Sequence, residues 1–193
     1  MSIDVSWLEN ELASSDKIKN IDAYITNLIN SAKSKDAKTK ISECFKSTTA
    51  DISCKKSYEI LDSLRHAFNS FVSGGLYDLY IYQSNESWYP KIILRQELKP
   101  NDIASLPKLI VIYRGCEISE HLDEKYGQSW SISKNVAAEF AYQHYSSQPW
   151  FNKNNRCILK AEIKKEDVYF SRQNHHENEI AVNTENLINV QKQ

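Results

Sequence analysis

Three groups of polar residues follow one another along the chain, and together they have the chemistry of a dinucleotide site. Arg114 comes first, residues 129–131 (SWS) come next, and residues 177–179 (ENE) come last. An arginine can bind a phosphate through its planar fork of donors, and hydroxyls can bond a sugar. Two carboxylates can divide the breaking of a glycosidic bond, since one stabilises a cationic centre and the other serves the attacking group. From the order of these groups along the chain we predict that they lie together at the mouth of one cleft.

Arg114 follows a β-branched apolar run, residues 108–113 (KLIVIY), that comes directly after Pro107. The run predicts a buried strand that ends at the arginine. Gly115 stands beside it, and a residue without a side chain lets a ligand approach the backbone. The alternative for Arg114 is a surface arginine in an ion pair.

Hydroxyls alternate with large apolar residues from Ser129 to Ser133. On an extended strand Ser129, Ser131 and Ser133 point to one side. Trp130 and Ile132 then pack on the other side. Such a row of hydroxyls can bond sugar hydroxyls and orient a carboxylate. The alternative is a half-exposed edge strand whose polar face meets water.

Glu177 and Glu179 stand two residues apart, so a regular strand places both on one face. A solvated acidic turn is the alternative. The preceding His175 and His176 favour a polar loop over a metal site, because adjacent side chains of an extended chain point to opposite faces. No metal is therefore predicted.

Composition excludes several classes of protein. The chain has 193 residues, a net charge of −1 and 41% hydrophobic residues, which is ordinary for a globular protein of one domain or one domain plus a small appendage. Overall charge does not favour nucleic acid or an anionic membrane, although a local basic groove stays open. The four cysteines lack C-x-x-C spacing, which argues against structural zinc. No signal peptide or membrane span is visible, so we expect a cytoplasmic protein, or one delivered into a target cell without such a signal.

Local patterns predict an α+β fold with a mainly helical part, residues 1–104, followed by a catalytic core, residues 105–193, as one compact unit. Residues 76–98 could be helix or strand. Apolar spacing predicts helices at 18–29 with Asp16 as cap, 37–45, 58–72 ending at a Ser-Gly-Gly signal, and 133–145 capped by Ser133. Alternation and β-branched content predict strands at 156–163, 167–170, 179–182 and 187–190.

A strand followed by Arg-Gly, an S-x-S strand leading into a helix with a Phe-Ala pair, and a late E-x-E resemble the ADP-ribosyltransferase superfamily. The match is to its arginine–serine–glutamate class, which includes bacterial toxins, phage enzymes and animal ecto-enzymes. It spans about residues 109–182, and residues 128–141 (QSWSISKNVAAEFA) carry its strongest part. The resemblance implies a split β-sandwich of short strands, with NAD as the substrate and no metal.

The resemblance also implies roles for individual residues. Arg114, with Gly115 beside it, would hold NAD through phosphate and ribose. Ser129 would support the catalytic glutamate and the nicotinamide ribose, and Ser131 maps to the last hydroxyl of the triplet. Glu179 would bond the ribose and stabilise the cation as nicotinamide leaves.

Three further positions complete the predicted site. Glu177 would interact with the acceptor of the ADP-ribose. Trp150 or Phe151, in the loop 146–155, would stack on nicotinamide, as an aromatic loop does in relatives. Trp130 departs from the usual threonine, and we expect it to face away from the ligand.

These inferences predict an NAD-dependent mono-ADP-ribosyltransferase that modifies a macromolecule. A protein arginine is slightly favoured as acceptor, and an RNA or DNA base is the competing choice. An inactive interaction module of the same fold is a second class of function. A third is an unrelated hydrolase that uses Glu177 and Glu179, which would leave Arg114 unexplained. We hypothesise that the N-terminal helices select the acceptor or bind an antitoxin or immunity protein; no membrane partner is predicted.

Overall fold

Helices dominate the first part of the chain and strands the second, as the α+β prediction expected. The computed structural model describes residues 2–4, 21–32, 34–70, 75–82 and 91–193. The chain divides into two compact units, Met1–Ile93 and Leu94–Gln193. None of the helices in the described ranges has both the length and the apolar character that crossing a membrane requires.

The first unit has a helical core in which apolar side chains recur every three or four residues. Ile41 and Phe45 are buried on one helix, and Leu61, Leu64 and Phe68 on the next. Two of the predicted signals, Asp16 and residues 73–74, lie outside the described residues. The ambiguous stretch contains both a helix and a strand. The elements are α1 Ile21–Ala32, α2 Ala37–Thr49, α3 Lys55–Ser70, α4 Gly75–Ile81 and the antiparallel pair β1 Ser2–Asp4 and β2 Lys91–Ile93.

The second unit is built on an antiparallel sheet with the strand order β6-β7-β4-β3-β5-β8. β3 pairs with β5 along its whole length. Within residues 91–193, by contrast, β3 and β4 meet at one register pair, Tyr113 opposite Ser131. The sheet therefore consists of two three-stranded halves that are joined at one point. The strands are β3 Leu109–Glu117, β4 Ser129–Ser131, β5 Arg156–Lys164, β6 Val168–Arg172, β7 Glu179–Val182 and β8 Ile188–Lys192.

The predicted strand before Arg114 is present, but two of its expected properties were wrong. β3 continues past Arg114 to Glu117 instead of ending there. It is also only partly buried, since Leu109 and Val111 are 51% and 39% exposed. An antiparallel strand needs cover on one face only, whereas a continuous apolar run is typical of a strand covered on both.

Helix α6, Lys134–Tyr142, packs against β3 and confirms the helix predicted after Ser133. The Ser133 hydroxyl caps it by accepting from the Val136 backbone N–H. At Gly115 an added Cβ would lie 2.0 Å from the Ala137 carbonyl oxygen. Helix α6 therefore occupies the space beside Gly115 where a ligand was expected, and the glycine is needed for close packing of helix on strand.

The remaining strands lie close to their predicted positions. β5 and β7 begin where the alternation predicted, at Arg156 and Glu179. β6 and β8 begin one residue later than predicted and extend two residues further, to Arg172 and Lys192. The extension of β6 brings Arg172 into register with Glu179, a pairing that matters for the site.

Candidate functional site

Arg114, Ser129 and Glu179 lie on three adjacent strands and form one continuous line of contacts. The Arg114 Nη1 donates to the carbonyl oxygen of Ser129 at 2.6 Å. The Ser129 hydroxyl donates to the Glu179 Oε1 at 3.0 Å. A cation, a hydroxyl and a carboxylate from distant parts of the chain are thereby brought to one place.

The register of β4 and β7 explains why Ser129 meets Glu179. Ser129 lies opposite Ala181, and Ser131 lies opposite Glu179. Ser129 and Glu179 are therefore diagonal neighbours on one face of the sheet, within reach of a serine and a glutamate side chain. Trp130 points into the core on the other face, where its Nε1 donates to the Gly127 carbonyl at 2.9 Å.

The fork of donors on Arg114 binds a protein carboxylate. Its Nε and Nη2 donate to the two oxygens of Glu120, at 2.8 and 3.0 Å. Glu120 lies on the short helix α5, Ile118–Leu122. With the bond to Ser129, three of the five N–H groups of the guanidinium are used, and the other two have no hydrogen-bond partner among the residues that the structure describes. A phosphate that approaches this arginine must therefore use the remaining donors or displace Glu120.

Electrostatics also tie Arg114 to Glu120. Burial lowers the pKa of the Arg114 guanidinium, but the charge and hydrogen bonds of Glu120 outweigh burial and raise that pKa overall. Gly127 supports the same pair, because its backbone N–H donates to Glu120 Oε2 at 3.2 Å. An added Cβ on Gly127 would lie 2.4 Å from Arg114 Nη2, so only glycine leaves room for the guanidinium.

Glu179 has a cation beside it. Arg172 of β6 lies opposite Glu179 in the sheet, with 3.9 Å between Nη2 and Oε2. The buried Nε of Arg172 has no hydrogen-bond partner in the part of the chain that the structure describes. The Glu179 side chain is only 12% exposed, so a hydroxyl and a cation face it with little screening by water.

Ser131 has a structural use for its hydroxyl. It is buried, and its Oγ donates to the Glu177 carbonyl oxygen at 2.7 Å. The same Oγ accepts from the Ser133 backbone N–H at 3.0 Å. These bonds tie β4 to the segment that leads into β7, and they engage the hydroxyl that was expected to face a cofactor.

The prediction that Glu177 and Glu179 share one face of a regular strand was wrong. β7 begins only at Glu179, and Asn178 before it has a left-handed backbone with φ of 44°. Asparagine tolerates that conformation better than most residues, so the alternation breaks at this residue. Glu179 lies beside Ser129, whereas Glu177 lies among histidine side chains.

The two histidines are also arranged differently from expectation. The segment is a turn, closed by a bond from the Asn178 N–H to the His175 carbonyl, so it is not extended. The rings of His175 and His176 lie together, with centroids 4.0 Å apart. Partial burial, then the charges of Arg172 and His176, lower the pKa of the His175 imidazole, while Glu177 acts in the opposite direction.

Trp150 and Phe151 lie in an aromatic cluster after helix α6. The Trp150 ring is 5.4 Å from the ring of Tyr145 and is 53% exposed. The Arg156 guanidinium lies 5.9 Å from the Phe151 ring. Arg156 also donates to the Ala141 and Phe140 carbonyls at the end of α6. These contacts place both residues in one aromatic cluster, and their stacking on nicotinamide stays a prediction. Tyr145 of this cluster is near enough to Arg114 to contribute to the raised pKa of the guanidinium.

Three residues of the site were not predicted: Glu120, Gly127 and Arg172. Their roles depend on which strands and turns become neighbours, and no local pattern of residues marks that. A weak signal exists for Arg172, which stands two residues beyond the predicted strand 167–170. It would have been found only by extending that strand.

The arrangement suits the cleavage of a bond at a sugar carbon. A carboxylate held by a hydroxyl can stabilise a developing cation, and a nearby arginine can hold an anionic part of the same ligand.

Comparisons of the chain with protein-family models, with curated proteins and with solved structures find no match.

Proposed function

We propose that this chain is an NAD-dependent mono-ADP-ribosyltransferase. The observation that carries the proposal is the hydroxyl of Ser129 bonded to Glu179 at 3.0 Å, with Arg114 bonded to the same serine. This is the set of three groups that the resemblance assigns to NAD binding and cleavage. Because the groups come from three strands, their meeting is not a consequence of sequence proximity.

In the proposed reaction the bond between nicotinamide and ribose breaks, and its electron pair leaves with nicotinamide. Glu179 bonds the ribose and stabilises the positive charge that develops on it. Arg114 holds the phosphates through its two remaining N–H groups and so fixes the ribose. The acceptor nucleophile then bonds to the same ribose carbon and loses its proton, a step that we assign to Glu177.

The finer fold that we propose for the second unit is the ADP-ribosyltransferase-like split β-sandwich. Its support is the single register pair between β3 and β4, which divides the sheet into two halves. Arg114 follows that pair on β3, and Ser129 lies on the facing strand. The proposed NAD ligands therefore lie on both sides of the point where the two halves meet.

A protein arginine remains the slightly favoured acceptor, because the resemblance associates a first glutamate in E-x-E, here Glu177, with arginine acceptors. An RNA or DNA base is the second candidate, and one observation favours it. The aromatic cluster exposes Trp150 beside Tyr145, and an exposed aromatic ring can stack on a single-stranded base. An inactive interaction module is the third candidate and requires that NAD is not cleaved.

Transfer of label from NAD tests the proposal. NAD labelled in its adenylate phosphate is incubated with a cell lysate and the wild-type chain, Glu179→Ala or Glu185→Ala. Glu185 is an exposed glutamate on a nearby turn and serves as the matched control. We expect macromolecular labelling by the wild type and by Glu185→Ala, and none by Glu179→Ala.

Digestion of the labelled product distinguishes the acceptors. Loss of label after protease indicates a protein, and loss after nuclease indicates nucleic acid. The proposal fails if the wild-type chain transfers no label, or if Glu179→Ala transfers as much as the wild type.

A further inference from the structure

Three consecutive side chains before β7 form a cluster that the proposed reaction uses only in part. His175, His176 and Glu177 each offer one ligand atom, and these atoms all lie within 4.8 Å of one another. The His176 Nε2 is 3.6 Å from Glu177 Oε1, and the His175 Nδ1 is 4.0 Å from Oε2. We propose that these residues bind a divalent transition-metal ion.

The distances are close to those that an ion requires. Bonds from zinc to imidazole nitrogen and carboxylate oxygen are about 2.0–2.2 Å, so two ligands of one tetrahedral ion lie roughly 3.4 Å apart. The observed separations of 3.6 and 4.0 Å exceed that value by well under an ångström. The ligand atoms of all three residues lie within 4.8 Å of one another, so binding of one ion needs rotation of the side chains. The His175 Nδ1 must also give up the long hydrogen bond, 3.5 Å, that it accepts from the Glu177 backbone N–H.

The backbone of the cluster is already held by hydrogen bonds. The Asn178 N–H donates to the His175 carbonyl at 2.9 Å, and its side chain donates to the Gln173 carbonyl at 2.8 Å. The Ser131 hydroxyl holds the Glu177 carbonyl. A turn fixed at both ends presents its ligands without a large loss of conformational entropy.

The ligand types select the class of ion. Two imidazoles and one carboxylate suit zinc, nickel, cobalt or copper, whereas calcium and magnesium prefer oxygen ligands alone. Three protein ligands leave at least one position for water. His176 is largely exposed, with 77% of its side chain accessible, so an ion can reach the cluster from solvent.

A bound ion would change the charge beside the proposed reaction centre. It would occupy Glu177, so the acceptor could not lose its proton to that carboxylate while the ion is bound, and it would put positive charge two residues from Glu179. This consequence rests on the proposed function, but binding of the metal does not. A test of binding without NAD therefore succeeds or fails independently of the transferase activity.

Calorimetric titration with Ni²⁺ and Co²⁺ tests the site on the full chain, without an affinity tag. The wild type is compared with the double variant His175→Ala/His176→Ala, with Glu177→Gln, and with His66→Ala as control. His66 is a matched control because its Nε2 also lies near a carboxylate, 3.4 Å from Asp62 Oδ2, on an exposed helix surface. Circular dichroism checks that each variant is folded.

We expect one ion per chain for the wild type and for His66→Ala. Affinity should fall by at least about 10-fold in the double variant, and measurably in Glu177→Gln. The visible spectrum with Co²⁺ should lack the charge-transfer band of a thiolate ligand. The proposal is overturned if the wild type binds no ion, if either variant binds like the wild type, or if the spectrum shows cysteine ligation.

Discussion

Glu179 takes its orientation from the strands on either side of it. Ser129 on β4 donates to one carboxylate oxygen, and Arg172 on β6 lies near the other. A carboxylate held in this way and 12% exposed has little freedom to turn away from a ligand. The roles of the two serines of β4 differ, because the Ser129 hydroxyl faces Glu179 while that of Ser131 holds the backbone.

We expect the substitution by alanine to have different effects at Ser129 and at Ser131. Ser129→Ala should lower the rate of nicotinamide release by about 10- to 100-fold, since a hydrogen bond to a charged group contributes about 1.5–3 kcal/mol. Its melting temperature should fall less than that of Ser131→Ala, because Ser129 is exposed and water can replace its hydroxyl.

Ser131→Ala should lower the free energy of unfolding by about 1–3 kcal/mol, because it leaves the Glu177 carbonyl without this donor. Steady-state kinetics and thermal unfolding of both variants check the pair. Equal effects of the two substitutions on rate and stability would contradict the assignment.

We expect Glu120 to hold Arg114 in the position in which it binds NAD. Glu120→Ala frees the guanidinium, so we expect the affinity for NAD to fall by about 10-fold, which corresponds to about 1.4 kcal/mol. Glu117→Ala is the matched control, since Glu117 is half exposed and lies 3.9 Å from Arg156 instead. Tighter NAD binding by Glu120→Ala would show instead that Glu120 competes with the phosphate for Arg114.

At the scale of elements, helix α6 and the turn before β4 keep β3 and its arginine in position. Gly115 admits α6 against β3, and Gly127 admits the Arg114 guanidinium. Gly115 is therefore needed for the packing of the helix on the sheet, and Gly127 is needed for the position of Arg114 in the site.

Alanine at each glycine separates these effects. Gly115→Ala should lower the free energy of unfolding by about 3 kcal/mol, because the new Cβ meets the backbone of α6. Gly127→Ala should lower NAD affinity with a smaller loss of stability, because its Cβ meets the end of the Arg114 side chain. Denaturant unfolding and NAD titration measure both; greater destabilisation by Gly127→Ala would refute this account.

Elements with a regular period could be predicted from the sequence. The cap at Ser133 and the apolar face of α6 were found, and so was β7, because their spacing follows one period. Glu177 was misplaced because one left-handed residue, Asn178, breaks that period. Glu120 and Arg172 depend on register and on a turn between strands, which no local pattern specifies.

At the scale of the whole molecule, the second unit has an apolar core formed by its own residues. Ile112, Trp130, Leu159 and Ile180 belong to one buried cluster. The start of the unit is tied to the sheet, since the backbone of Leu94 pairs with the Gln128 side chain. A unit with its own core is expected to fold alone.

A fragment of residues 94–193 should therefore fold without the first unit. Circular dichroism should show a cooperative thermal transition, and fluorescence should show a tryptophan shielded from solvent, as Trp130 is. An unfolded or aggregated fragment would contradict the division of the chain after Ile93.

Release of nicotinamide from NAD by the purified chain tests the central claim most directly. Glu179→Gln keeps the size of the side chain and removes its charge, and Glu185→Gln is the control. We predict that Glu179→Gln lowers nicotinamide release by more than about 100-fold while calorimetry shows NAD affinity near that of the wild type. Near-normal release by Glu179→Gln would contradict the assignment of Glu179, and no release by the wild type would contradict the proposed function.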